Sequence, residues 1–89
     1  MTGQRATVTV RYWGAIKALT GVAEETVVGA TLADVLAEIA VRHPDRRFTA
    51  LLEICSILVG DRRQEGGSAR QIHLVDRDVV ELLPPFAGG

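Results

Sequence analysis

The two most strand-like runs of this chain stand near its opposite ends, and both are apolar enough to belong inside a sheet. Residues Ala6 to Tyr12 alternate, with Ala6, Val8, Val10 and Tyr12 on one face and Thr7, Thr9 and Arg11 on the other. A period of two carried by β-branched residues specifies a half-buried strand. Val79-Val80-Glu81-Leu82-Leu83 is the second run. Strands this apolar suit central positions, and termini emerging from the middle of a sheet are consistent with a tail that projects from it.

The segment between them supplies helices and further strands. Trp13-Gly14 breaks the first strand, Ala15 to Leu19 fits a short helical turn, and Gly21 suits its left-handed cap. Glu24 to Val28 reads as a second strand closed by Gly29. The clearest helix opens at Thr31, a good N-cap, with Asp34 placed to complete a capping box and to favour the helix dipole. Leu32, Val35, Leu36, Ile39 and Ala40 recur at helical spacing, and Pro44 ends the helix near Arg42 or His43. Asp45 to Ile54 stays open: Phe48, Leu51 and Leu52 have helical spacing, but the segment is short. Cys55 to Val59 reads as a strand, Gly60-Asp61-Arg62 as a turn, Gln64 to Arg70 as a surface loop, and Asp76-Arg77-Asp78 as a turn. Ile72 to Val75 fits a short strand or a helical turn. This order implies an α+β sheet with one covering helix.

At 89 residues the chain makes one domain, able to bury roughly 60–65% of its unfolded surface. Apolar residues at 47% and charged residues at 24% leave no compositional case for disorder. A net charge of −1 leaves none for nucleic acid or an anionic membrane as partner. The basic groups Arg42, Arg46, Arg47 and Arg62, Arg63 read as solvated turns. One cysteine excludes an internal disulfide and a multi-cysteine metal site. No run approaches the ~20 apolar residues of a membrane span, and Met1 to Arg5 has no signal-peptide core. The expectation is a soluble, cytoplasmic protein.

The ending carries the functional signal. After the last strand come Pro84-Pro85-Phe86-Ala87 and then Gly88-Gly89. The prolines remove ladder donors and stop sheet pairing, or protect a sheet edge. The glycines leave a slender peptide with a free α-carboxylate. Such a tail can thread into another protein's active site, where the chemistry would take place on its own carboxyl group. The division is therefore a domain over 1–83 and a projecting tail over 84–89. By strand alternation Leu83 shares a face with Val79 and Glu81, and Leu83 and Phe86 read as partner-contacting, with a core role for Leu83 left open. Other reactive types have blander readings. Cys55, within Ile54-Cys55-Ser56-Ile57, is read as a core residue rather than a persulfide relay. His43 is read as capping carbonyls at a helix end, His73 has no second ligand at zinc spacing, and Trp13 is read as packing beside a turn.

These residues resemble a known family. Val8 to Gly14, the helix opened by Thr31-Leu32, Ile57-Leu58-Val59-Gly60, and the whole ending from Leu74 to Gly89 look like the small sulfur carriers MoaD and ThiS. The resemblance spans about residue 6 to the end, and its specific part is the acidic turn, apolar strand, diproline, apolar residue and Gly-Gly. It implies a ubiquitin-like β-grasp fold. It implies that an E1-like adenylyltransferase uses ATP and magnesium to adenylate Gly89, presented by Gly88, and that sulfur from a donor protein then replaces AMP to give a thiocarboxylate. The carrier would bind no cofactor and show no turnover alone. A MoaD-type carrier would deliver the sulfur within molybdopterin synthase, with a MoaE-like large subunit as partner and Leu83, Pro84, Pro85, Phe86 and Ala87 in contact with it. The rival readings are a ThiS-like or cysteine-synthesis carrier, a ubiquitin-like modifier, and an interaction module with an inert tail. Two positions depart from the family: Arg77 stands in an Asp-Gly-Asp pattern, and Leu83 where an aromatic residue is common.

Overall fold

Strands β1 (Ala6–Tyr12) and β5 (Val79–Leu83) lie side by side and parallel, with Thr9 opposite Val79 and Tyr12 opposite Leu82. The computed structural model that shows this describes residues 4–64 and 70–85. The sheet has five strands in the order β2-β1-β5-β3-β4, so both end-of-chain strands are interior, as their apolar character requires. β2 (Glu24–Gly29) runs antiparallel to β1. β3 (Ser56–Val59) runs antiparallel to β5, and β4 (Arg62–Gln64) to β3. Val8, Val10, Tyr12, Val80 and Leu82 are fully buried on one face of the sheet. Burial at this level contributes about 1.5–3 kcal/mol for each large side chain, before the entropy of ordering it.

Helices α1 (Gly14–Thr20), α2 (Leu32–Arg42) and α3 (Arg46–Ile54) supply the other side of the core through Ile16, Leu32, Val35, Ile39, Phe48 and Leu52. Both halves of the capping box form at the start of α2. Thr31 Oγ1 accepts from the Asp34 N–H at 3.2 Å, and Asp34 Oδ2 accepts from the Thr31 N–H at 3.1 Å. Gly29, where β2 turns into this cap, is closely packed: a Cβ there would stand 3.0 Å from Asp34 Cβ and 3.1 Å from Val35 Cγ2, so these neighbours would have to give way. α1 ends as expected at Gly21, whose φ of 78° is left-handed and whose N–H donates to the Lys17 carbonyl at 2.9 Å.

The structure settles the segments that the sequence reading left open. Two shorter helices, α1 and α3, join the main helix α2 in the covering layer. The open segment Asp45 to Ile54 is helical because Phe48 and Leu52 reach the core and Asp45 caps the Arg47 N–H at 2.8 Å. A helix this short is marginal alone, so tertiary burial decides it. Arg62–Gln64, read as turn and loop, pairs with β3 as strand β4. Its residues carry no apolar period, so only the pairing reveals it. The rest of the expected loop, 65–69, lies outside the described residues. Ile72 to Val75 makes one bridge, His73 to Thr31, and buries Leu74.

The turn before β5 is stitched to the start of β1. The Thr7 N–H donates to Asp76 Oδ1 at 2.8 Å, the Arg77 N–H to the Thr7 carbonyl at 2.9 Å, and the Thr9 N–H to the Asp78 carbonyl at 3.0 Å. Asp78 Oδ2 also accepts from the Val75 N–H at 2.9 Å. Arg77 has φ 76°, the one left-handed non-glycine among the described residues. The glycine common there in the resembled family answers this backbone requirement, which arginine meets at a cost of about 1 kcal/mol.

Candidate functional site at the end of the last strand

β5 loses both neighbours at the same point. On one side its last tie is the Trp13 N–H, which donates to the Leu82 carbonyl at 3.2 Å. On the other side the last pair is Ser56 opposite Leu83. Pro84 follows immediately, so its missing N–H forfeits no ladder bond. The prolines therefore guard no sheet edge, because β5 is a central strand. They stand where the strand leaves the sheet.

Of the expected contact residues, Leu83 and Pro84 are half-buried and Pro85 is exposed. Phe86, Ala87, Gly88 and Gly89 lie outside the described residues. Leu83 sits on the outer face of β5 with Val79 and Glu81, while Val80 and Leu82 point into the core. Beside it on that face Arg11 links two strands, 3.3 Å from Glu24 and 3.4 Å from Glu81. Exposed pairs of this kind contribute about 0–1 kcal/mol each. They give the outer face a charged row next to the apolar Leu83.

Two exposed apolar side chains surround the exit. Trp13, beside the turn that ends β1, is 45% exposed, and its backbone N–H makes the contact with Leu82. Ile54, at the end of α3, is 52% exposed. Both positions are apolar, and no local pattern says that so much of each stays outside the core.

Cys55 caps the end of α3 and is half-buried against the core, in line with its core reading. Burial pushes its thiol up to about 11. The reactive thiolate is therefore scarce at neutral pH, which speaks against a persulfide relay.

His43 caps the end of α2 as expected, through its backbone: its N–H donates to the Ile39 carbonyl at 3.0 Å, while its ring makes a separate contact. Ring Nε2 lies 2.6 Å from Glu25 Oε2, and the ring packs against Tyr12 and Phe48. Glu25 also accepts from the Tyr12 hydroxyl at 2.5 Å and from Arg42 at 3.2 Å, while Arg42 donates to the Thr26 carbonyl at 2.8 Å. Arg42 is thus a clamp between α2 and β2 and not part of a solvated turn. Burial works to raise the Glu25 carboxyl, but hydrogen bonds from Tyr12, His43 and Arg42 outweigh it and hold the group below the usual range. Burial first, and the Glu25 bond second, push the Tyr12 hydroxyl up. This cluster ties β2 to the α2–α3 junction. The one sequence hint is that Glu25 shares the inward face of β2 with Val27.

Among the described residues, no group of three or more His, Cys, Asp or Glu side chains could hold a metal ion. No described helix is long and apolar enough to cross a membrane.

Comparison with known proteins agrees with this architecture. The model of the ThiS family matches residues 10–89. No curated protein matches the chain significantly. Among solved structures, small archaeal modifier protein 1 from Methanosarcina acetivorans is similar, with a TM-score of 0.81 at 22% identity, covering 98% of this chain and 100% of its own. Putative molybdopterin converting factor subunit 1 from Pyrococcus furiosus is similar with a TM-score of 0.74 at 28% identity, covering 91% and 99%. So is the molybdopterin-converting factor complex of subunits 1 and 2 from Helicobacter pylori, with a TM-score of 0.67 at 28% identity, covering 93% and 99%. The expected ubiquitin-like β-grasp fold is therefore present, with β1 and β5 parallel at its centre. With the family match spanning most of its length, this chain belongs to the ThiS family.

Proposed function

We propose that the chain is a sulfur carrier of the MoaD type, the small subunit of a molybdopterin synthase. One observation supports it above the others: central strand β5 leaves the sheet at Leu83 into Pro84-Pro85, and the family match continues from there through Gly89. The likeness to subunit 1 of molybdopterin-converting factors favours molybdopterin as the destination of the sulfur.

A carboxylate is a poor electrophile, so the Gly89 carboxylate must first be activated. Its oxygen attacks the α-phosphorus of ATP, pyrophosphate leaves, and an acyl adenylate forms. A sulfur nucleophile from the donor protein then attacks the carbonyl carbon. The C–O bond to AMP breaks and AMP leaves; with a donor persulfide as nucleophile, a second thiol then attacks the donor's own sulfur, forms a disulfide with it, and expels the thiocarboxylate. ATP, magnesium and the activating electrostatics belong to an E1-like adenylyltransferase. The carrier contributes reach through Pro84 and Pro85, and slenderness through Gly88 and Gly89. A Cβ at residue 89 would crowd the attacked carbonyl. Leu83, Phe86 and Ala87 would then contact the MoaE-like large subunit, since a tail alone offers little area for specific association.

Intact mass spectrometry tests this after incubation with ATP, an E1-like enzyme and a sulfur donor. The carrier gains the mass difference between sulfur and oxygen, and the chain lacking Gly89 gains nothing while its thermal unfolding is unchanged. Slow-migrating lysine conjugates in place of the mass gain would mark a modifier. Affinity capture that recovers a thiazole or cysteine synthase instead of a MoaE-like subunit would move the carrier to another pathway.

A further inference from the structure

The free edge of β2 is closed at its middle by one side chain. β2 is an outermost strand of the sheet. The Tyr12 N–H donates to the Ala23 carbonyl at 2.8 Å, and in the same register Val10 faces Glu25 and Val8 faces Val27. The odd-numbered residues of β2 therefore direct their backbone groups to β1, and Glu24, Thr26 and Val28 turn theirs outward. Past Val28 the edge ends. The Ala30 N–H donates to Asp34 Oδ2 at 3.2 Å, and the Ala30 carbonyl accepts from the Leu74 N–H at 2.9 Å. At the centre of the outward row, the Thr26 carbonyl accepts from Arg42 Nη1 at 2.8 Å. Two carboxylates hold that guanidinium in place, Glu38 Oε2 at 3.1 Å and Glu25 Oε1 at 3.2 Å. A rigid fork of donors can grip all three at once, which a lysine could not.

We propose that Arg42 is an edge guard, which keeps β2 from adding a strand and so keeps the chain from pairing with a second copy of itself. An outward row of unpaired N–H and C=O groups is a template for another chain. Apolar surface beside it adds to the hazard. Val28 is 42% exposed and Val41 73% exposed, and with Gly29 and Ala37 they line a cleft of about 520 Å³. A strand laid along this edge gains apolar contact as well as ladder bonds. The second copy is the occupant because β2 is complementary to itself. A two-fold axis at Thr26 makes Thr26 and its counterpart a hydrogen-bonded antiparallel pair and sets Glu24 opposite Val28, so no acid faces an acid. That central pair needs both Thr26 carbonyls as acceptors. They are the groups that Arg42 occupies in each copy. The guard is independent of the sulfur chemistry proposed above.

Sedimentation equilibrium of the full chain measures self-association, and amide hydrogen exchange locates the pairing. The wild type stays monomeric, and its Thr26 and Val28 amides exchange quickly because their N–H groups face solvent. Arg42→Ala strengthens self-association by about tenfold for each carbonyl released, about a hundredfold for the pair. It also slows exchange at Thr26 and Val28. Adding Val28→Lys to Arg42→Ala restores the monomer, since a charge on an edge strand opposes pairing. Should Arg42→Ala melt far below the wild type, Glu38→Gln decides in its place. It weakens one of the two carboxylate grips on the guanidinium and produces the same changes in smaller measure. Three results overturn the proposal. The variants stay monomeric at every concentration, they associate while the Thr26 and Val28 amides still exchange quickly, or the wild type already pairs through β2.

Discussion

Asp76 accepts a hydrogen bond from the Thr7 N–H at 2.8 Å, although the two stand 69 positions apart. The contact pins the turn before β5 to the start of β1 and so helps set the register of the parallel pair, on which the exit of the tail depends. A charge-assisted bond to a backbone donor is worth about 1.5–3 kcal/mol. Asp76→Ala should lower stability to urea by about that amount, and Asp76→Asn by less, because the amide oxygen can still accept. Equal stability of the alanine variant and the wild type would show the bond to be dispensable.

Arg77 occupies a left-handed backbone position at φ 76°. Glycine adopts that conformation without Cβ strain but loses more entropy on folding. The strain relief is the larger effect here, so Arg77→Gly should raise the melting temperature, by up to about 1 kcal/mol of stability. A lower melting temperature would mean that the arginine side chain contributes more than its backbone costs.

The Glu25 cluster makes stability depend on acid. Despite its burial, the Glu25 carboxyl is held below its ordinary value of 4.5 by bonds from Tyr12, His43 and Arg42. A carboxyl depressed in the folded state contributes stability that is fully present above the unfolded value and is lost as pH falls through the folded one. Wild-type stability should therefore drop steeply from about pH 5 downward, and the Glu25→Gln protein should show a shallower loss over that range. Parallel curves for the two proteins in urea titrations would refute this assignment.

Cys55 should be a slow nucleophile. With its thiol pushed up to about 11 by burial, alkylation by iodoacetamide at neutral pH should lag far behind that of a free thiol. Cys55→Ala should accept sulfur at the wild-type rate while losing about 1 kcal/mol of packing. Loss of sulfur transfer with the fold intact would restore the relay reading.

Much of this molecule could be read along the chain. The alternation in β1, the apolar run of β5, the capping box of α2 and the stop at Pro44 are local patterns, each set by period, cap chemistry or a missing donor. The stop at Pro84 was equally legible, because a residue without an N–H ends sheet pairing wherever it stands. β4 and α3 were not legible as such. β4 is three polar residues that become a strand only by pairing with β3, and α3 is a short helix held by Phe48 and Leu52 in the core. Nor could periodicity show that Glu25, Tyr12 and His43 converge, since their positions on three elements meet only after those elements pack.

For the site itself, the residues dictated an apolar strand stopped by two prolines. Tertiary structure decided what surrounds its departure. Trp13 and Ile54 stand exposed there, and a groove opens between α1 and α3, because one core of this size has room for one face of each helix. Which face stays outside is settled by how the helices cross the sheet, and no window of sequence carries that geometry.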